Sequence, residues 1–264
     1  MKQLRFDTRP LTELLSADAL SGDGSLVDQV YDLLRKCIID LSLPPESALV
    51  EQEVAGTLNL SKTPVREAII RLSREGLVRV APKSGSFVTA INLDRYFEAC
   101  FIRAQLERGC VRRLATQGVS PANESRLRSL ITEQTLALRK NDDSGFFQLD
   151  ESLHRCLFDL AGLSGVWQVM NVAKAEMDRV RHLKRAFGIR QRQLVIEEHT
   201  EIVNAIIAGD PNRAEAALLN NIGAPEDEVT SLAENPALLR TIEDLNNLVA
   251  LNRPSRGGSQ VTSA

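Results

Sequence analysis

Aromatic side chains make up only 4% of this 264-residue chain, so its core must be filled mainly by Leu, Val, Ile and Ala. Cysteine is scarce as well. Cys37, Cys100, Cys110 and Cys156 are scattered with no C-x-x-C pair, which excludes a disulfide framework and implies a reduced, cytoplasmic protein. No apolar run approaches the roughly 18 residues of a membrane span. The first residues, "MKQLRFDTRPLTELLSADALSGDGS", lack the continuous apolar region of a secretory signal. A nucleophile elbow, a phosphate-binding loop and an H-E-x-x-H pair are all missing, which removes the usual supports for a hydrolase. Excess positive charge is missing too: the net charge of −3 argues against a uniformly basic nucleic-acid binder.

What is present is a globular composition, 43% hydrophobic and 25% charged, long enough for one large domain or two ordinary ones. The charge is unevenly placed. Residues 24–60 set Arg35 and Lys36 against six acidic side chains. Residues 61–90 set Lys62, Arg66, Arg71, Arg74, Arg79 and Lys83 against only Glu67 and Glu75. A phosphate-binding surface needs such a concentration, although a solvated helix face produces it too.

The hydrophobic spacing predicts a helix over "LVDQVYDLLRKCIID", with Leu26, Val30, Leu33, Leu34 and Ile38 inward, ending before Pro44-Pro45. A second, short helix is expected over "SALVEQEVAGTLN". A third begins near Ser61, capped by Ser61 or Thr63, with Pro64 in its first turn and Gly76 stopping it. "LVRVA" and "SFVTA" then read as two strands around Pro82-Lys83-Ser84-Gly85. Three helices and a hairpin describe a winged helix-turn-helix. With Val65, Ala68, Ile69 and Leu72 inward on the third helix, Lys62, Thr63, Arg66 and Ile70 point outward. Such a face suits the major groove, where Arg pairs bidentately with guanine and the helix N-terminus attracts phosphate. By spacing alone it is equally a solvated surface helix.

The stretch "LNLSKTPVREAIIRLSREGLV", with "LPPESALVEQEVA" before it and "GSFV" after it, closely resembles the winged-helix domain of GntR-family transcriptional regulators over residues 26–90. The resemblance implies double-stranded operator DNA as partner, with Ser61, Lys62, Thr63, Arg66, Lys83 and the wing-tip Gly85 as DNA-binding residues. Two departures stand out. Glu46 occupies a turn position where the family usually has Gly, and Lys62 a position where Arg is common.

From about residue 92 strand signals disappear. Six amphipathic helices are predicted, the fourth being "SGVWQVMNVAKAEMDRVRHLKRAF" and the last two joined through Gly209, Asp210 and Pro211. The fold class is therefore mainly α: an N-terminal winged helix-turn-helix followed by an antiparallel helical bundle. The expected organisation is a flexible tail over 1–23, a DNA-binding domain over 24–91, an effector-binding and dimerisation domain over 92–250 and a disordered tail over 251–264.

Of the three histidines, His154 follows Asp150 by four residues, so both project from one helix face, and His199 lies on a later helix. A carboxylate and imidazoles can share a divalent ion, although an Asp–His pair at this spacing is also an ordinary helix-surface interaction. "FIRAQLERGCVRRLA", "FFQLDESLHRCLFDLAG" and "EEHTEIVNAIIAGDPNRAEAAL" resemble, in that order, the FCD (FadR C-terminal domain) effector domain, in its VanR-like branch. The resemblance implies a divalent metal (Zn²⁺, Ni²⁺ or Mn²⁺) held by Asp150, His154 and His199. Asn221 falls where the family places a further His. It also implies a small organic or sugar acid as effector, bound with the help of Arg103. In the basic run "DRVRHLKRAFGIRQR", most of whose side chains are expected to be solvated, Arg181 is the one expected to turn inward to the effector. A homodimer is expected, because one recognition helix reads a half-site and two-fold symmetry reads a palindrome. Arg103 can equally pair with Glu107, one turn away on the same helix.

A ligand-responsive transcriptional regulator, expected to be a repressor, is thus set against two alternatives. One is a metal-assisted hydrolase using Asp150, His154 and His199 with Glu198 as base. The other is an architectural DNA binder without a ligand.

Overall fold

The structure, a computed structural model, describes residues 11–20, 24–189 and 191–251. Two compact units emerge: one runs to Ile91 and resumes from Leu239, the other is Asn92–Leu238.

The first unit opens with a helical turn, α1 (Leu11–Leu14), and a 3-10 turn at Ala17–Leu20. Part of the expected tail is therefore folded. Leu15 between these turns is 3% exposed, and its burial supplies the order that a polar tail lacks. Residues 1–10 and 21–23 lie outside the described residues, as do 252–264 of the second expected tail. Helix α2 (Leu26–Ile39) starts at a reciprocal cap: the Ser25 hydroxyl accepts from the Asp28 N–H, and the Asp28 carboxylate accepts from the Ser25 N–H, both at 3.2 Å. The second predicted helix starts later than its spacing suggests. Ala48–Leu49 form a strand, β1, before α3 (Glu51–Leu58). After α4 (Lys62–Arg74) come β2 (Val78–Ala81) and β3 (Gly85–Val88), in a sheet ordered β1-β3-β2 with both pairings antiparallel. Pairing Ala48 with Phe87 and Leu49 with Ser86 satisfies the edge of β3 and buries Leu49.

Glu46 has φ +64°, the left-handed conformation that favours Gly, which accounts for the family's usual residue at this turn. Here the turn is tied down instead. The Glu46 N–H donates to Val88 O (2.8 Å), and its carboxylate pairs with Arg79 (2.9 Å).

The second unit is a helical bundle: α5 (Leu93–Gln117), α6 (Pro121–Arg139), α7 (Asp143–Leu160), α8 (Ser164–Ala173), α9 (Ala175–Ala186), α10 (Arg192–Ile207), α11 (Pro211–Ile222) and α12 (Pro225–Ala233). Its core is mostly aliphatic, including Val111, Leu114, Ile202, Ile206 and Leu218, with Phe158 and Trp167 as the aromatic pair. The predicted fourth helix is two helices, broken at Lys174. Its side chain is 3% exposed, and its ammonium is bound to Glu151 and Asp178, both at 2.7 Å. No Gly or Pro marks that break. At the α10–α11 junction Gly209 has φ +69°, and Asp210 accepts from the amides of Asn212 and Arg213, as its sequence predicts. No helix among the described residues is long and apolar enough to cross a membrane.

In a further helix, α13 (Pro236–Leu251), the residues from Leu239 group with the first unit. There the Asn246 side chain accepts from the Ile91 N–H (2.8 Å) and donates to the Ile91 carbonyl (2.9 Å). Asn246→Ala removes both partners of a buried peptide. Its expected cost of about 1–3 kcal/mol would speed exchange of the Ile91 amide by about tenfold or more, readable by hydrogen exchange. An unchanged rate would mean that other contacts hold this peptide.

Candidate functional site

In the first unit, α4 buries one stripe and presents the opposite one. Val65, Ala68, Ile69 and Leu72 are at most 2% exposed, whereas Ser61, Lys62, Thr63, Arg66 and Ile70 are exposed. Ser61 is the N-cap, but its side chain makes no capping bond, so it leaves the first-turn amides open to another acceptor. Arg66 lies across from the start of α3, where its guanidinium meets both oxygens of Glu51 (2.8–3.1 Å). The pair is largely exposed and therefore weak, so phosphate or a base edge can exchange for it. Lys83 and Gly85 stand at the β2–β3 turn with φ +63° and +108°, both exposed.

The second unit brings its most distant candidate residues together. Asp150 and His154 on α7 and His199 on α10 are all buried, each offering a ligand atom within 4.8 Å of the others. The two imidazoles are oriented by groups behind them. His154 Nδ1 lies 2.7 Å from Glu107 Oε2, and His199 Nδ1 lies 2.8 Å from Gln134 Oε1. Both partners are acceptors, so each ring donates from Nδ1 and turns Nε2 toward the cluster. His199 Nε2 is 3.5 Å from Asp150 Oδ1. This donor set suits a divalent ion such as Zn²⁺, Ni²⁺ or Mn²⁺: two imidazoles in a fixed tautomer and one carboxylate. Asn221, in the fourth place, is buried and donates its amide to Glu198 Oε2 (3.1 Å).

Arginines balance the buried acids. Arg103 reaches Glu107 (2.7 Å) and also His154 Nε2 (3.1 Å), so the same-helix pair and an inward position coexist. Arg181 binds Asp150 at 2.9 Å. Burial pushes the Glu107 carboxyl up, but Arg103 and His154 beside it more than reverse that and hold it at about 2. Burial acts likewise on Asp150, which Arg181 and the two histidines hold well below the usual carboxylate range. Arg103, Asp150, Arg181 and Asn221 all line a cavity of about 560 Å³ within this unit, large enough for a small organic acid.

Glu107 and Gln134 belong to this site although sequence reasoning gave them no role in it. Gln134 had a readable signal, because it interrupts the apolar stripe Leu127, Ile131, Ala137, Leu138 of α6. Glu198, considered above as a catalytic base, is bound to Asn221. Arg185, also in the cavity wall, stands in the basic run "DRVRHLKRAF", where spacing alone does not separate it from solvated neighbours.

Residues 26–88 match the family described as bacterial regulatory proteins, gntR family, and residues 98–224 match the FCD domain. An HTH-type transcriptional regulator from an unstable DNA locus of Streptomyces ambofaciens is 36% identical over 80% of this chain and 89% of its own length. The HTH-type transcriptional repressor RspR of Escherichia coli is 28% identical over 78% of this chain and 90% of its own. The solved structure of E. coli McbR/YncC superposes with a TM-score of 0.68 at 21% identity, covering 80% of this chain and 99% of that one, a likeness of fold. With a winged helix-turn-helix at one end and an FCD bundle at the other, the chain belongs to the gntR family, as a DNA-binding transcriptional regulator and not an enzyme.

Proposed function

We propose that the chain is a ligand-responsive regulator in which a small carboxylate enters the FCD cavity and changes operator affinity. The observation that carries this reading is the buried Asp150–His154–His199 cluster, whose Asp150 lines the cavity, with Glu107 and Gln134 holding both rings in one tautomer. An architectural DNA binder has no use for such charge in its core, since each buried ion costs several kcal/mol, of order, unless paired. A divalent ion held by Asp150, His154 and His199 supplies a Lewis-acidic centre for carboxylate oxygens. Arg103, beside His154 Nε2, has five donors in a fork suited to the same carboxylate.

In this reading Lys62, Thr63 and Arg66 contact the major groove, Ser61 and the free first-turn amides a phosphate, and Lys83 and Gly85 the neighbouring groove. A homodimer is required, because one recognition helix reads a half-site and a palindrome needs two. The coupling works only if the effector binds the DNA-competent and DNA-incompetent states with different affinity. RspR is named a repressor, which favours repression as the mode here.

The test is a mobility-shift titration on an operator selected from random duplexes, with a panel of hydroxy and sugar acids, before and after loading Zn²⁺, Ni²⁺ or Mn²⁺. At least one acid is expected to change operator affinity. A panel without effect, at concentrations far above cellular ones, would remove ligand control through this cavity. Elemental analysis of chelator-free protein checks the metal. About one ion per chain is expected, and His199→Ala, which deletes one of three ligands, should weaken retention by about 10- to 100-fold or more. No retained ion after loading would leave the arginines to hold the carboxylate alone.

A further inference from the structure

Among the described residues five cations line the cavity: Arg103, Arg181, Lys184, Arg185 and Arg192. Four have a carboxylate of their own. Arg103 is paired with Glu107, Arg181 with Asp150, Lys184 with Glu228 and Arg192 with Asp143. An incoming anion must share any of these four with a carboxylate already bound there or displace it, and a displaced buried carboxylate is left with a large desolvation penalty. Arg185 differs. Among the described residues no carboxylate lies within ion-pair distance of it. Its Nη2 meets only His182 Nδ1 (2.9 Å), and its guanidinium carbon lies 3.2 Å from the centroid of the Phe147 ring. The stacking fixes the plane of the fork without neutralising it.

Resting on the function proposed above, we infer that Arg185 is the anchor for the effector's anionic group, and that this subsite takes one carboxylate. The two remaining readings of Arg185 fit less well. A purely solvated arginine would not be half-buried in a cavity wall, and a structural one would hold a carboxylate, as its four neighbours do. Its spacing adds to the case. Arg185 lies one turn after Arg181, and like charges so placed repel each other. Burial, and then Arg181, lower its proton affinity to about 10 against the attraction of Asp150, Asp178 and Glu151, so it stays charged at neutral pH with no carboxylate among the described residues in direct contact. A bound carboxylate supplies that counter-charge and breaks no existing pair. The Arg181–Asp150 pair then remains beside the histidine cluster, so Arg181 positions Asp150 and leaves anion capture to Arg185.

Acetate is the probe, because it is the smallest carboxylate and fits whatever the full effector is. Full-length protein labelled with ¹⁵N-arginine is titrated with acetate in place of perchlorate at constant ionic strength. One guanidinium Nε–H signal is expected to move along a saturating curve, and that signal is absent from R185Q. The acetate-dependent rise in melting temperature should vanish in R185Q and persist in R192Q. In R185K, which keeps the charge but loses the fork, acetate should bind about tenfold more weakly. The inference is overturned if no arginine signal saturates, if the moving signal survives in R185Q, or if R185Q keeps the melting shift. Should R185Q fold poorly, R185K still decides the matter: unchanged affinity would show that the fork is not used. Operator binding separates this inference from the reading it rests on. Acetate bound at Arg185 while no acid alters operator affinity keeps the anchor and removes effector control. An acid response that persists in R185Q does the reverse.

Discussion

Replacing Arg103 with Leu is expected to lower the stability of the metal-free protein by about 3–5 kcal/mol, the usual cost of leaving a buried charge without its partner. Glu107 is the charge concerned. Its side chain is 2% exposed and its carboxylate is held between Arg103 at 2.7 Å and His154 at 2.7 Å. Without the guanidinium, only the His154 N–H remains to compensate a full negative charge far from water. The carboxyl then takes up a proton or the surrounding helices loosen, and either response costs stability. Scanning calorimetry of the full-length protein reads the loss as a fall in melting temperature. A second substitution isolates the cause. In Arg103→Leu/Glu107→Gln the charge is gone, while the amide oxygen still accepts from His154 Nδ1, so most of the lost stability should return. A double variant as unstable as the single one would show that Arg103 acts through packing.

Arg66→Ala should weaken binding to the selected operator by about 10- to 100-fold, the discrimination that a bidentate arginine–guanine contact confers. Its effect on folding should be small, because its one ion pair, to Glu51, is exposed on the surface. Arg66→Lys is expected to fall between, since a point charge retains attraction but loses the fork. Glu51→Gln provides the opposite control. It releases Arg66 from its partner in the free protein and should tighten DNA binding a few-fold, because no ion pair must then be exchanged. Mobility-shift assays across several salt concentrations sort the contacts. If the Arg66→Ala loss is uniform over operator variants and the salt slope drops by about one, Arg66 meets phosphate. If the loss is confined to one base position, it reads that base. No loss at all would remove Arg66 from the interface.

The sequence by itself determined the order of the elements and the faces of the helices. Val65, Ala68, Ile69 and Leu72 could be assigned to the core because a helix repeats its face every three to four residues, and water sorts apolar from polar side chains along that repeat. Turn chemistry such as Gly209-Asp210-Pro211 is equally local, which is why that junction was legible. Local rules failed where a partner distant in sequence decides the outcome. Ala48–Leu49 form a strand because β3, almost forty residues later, supplies the edge to pair with. The helix break at Lys174 carries no Gly or Pro, and a buried ammonium bound to Glu151 on another helix marks it.

The candidate site divides in the same way. Asp150 and His154 share a face by their spacing of four, and Asn221 could be placed by resemblance. His199 could be set beside them by the same resemblance, but only the tertiary structure sets Glu107 and Gln134 behind the two rings and, among the described residues, leaves Arg185 as the cavity cation without a carboxylate in ion-pair contact. Whether a charged residue is paired or free depends on which groups other helices bring within about 4 Å, where charge interactions are strongest. A basic run such as "DRVRHLKRAF" gives the number of charges it carries, and the packing of the bundle decides which of them remains available to a ligand.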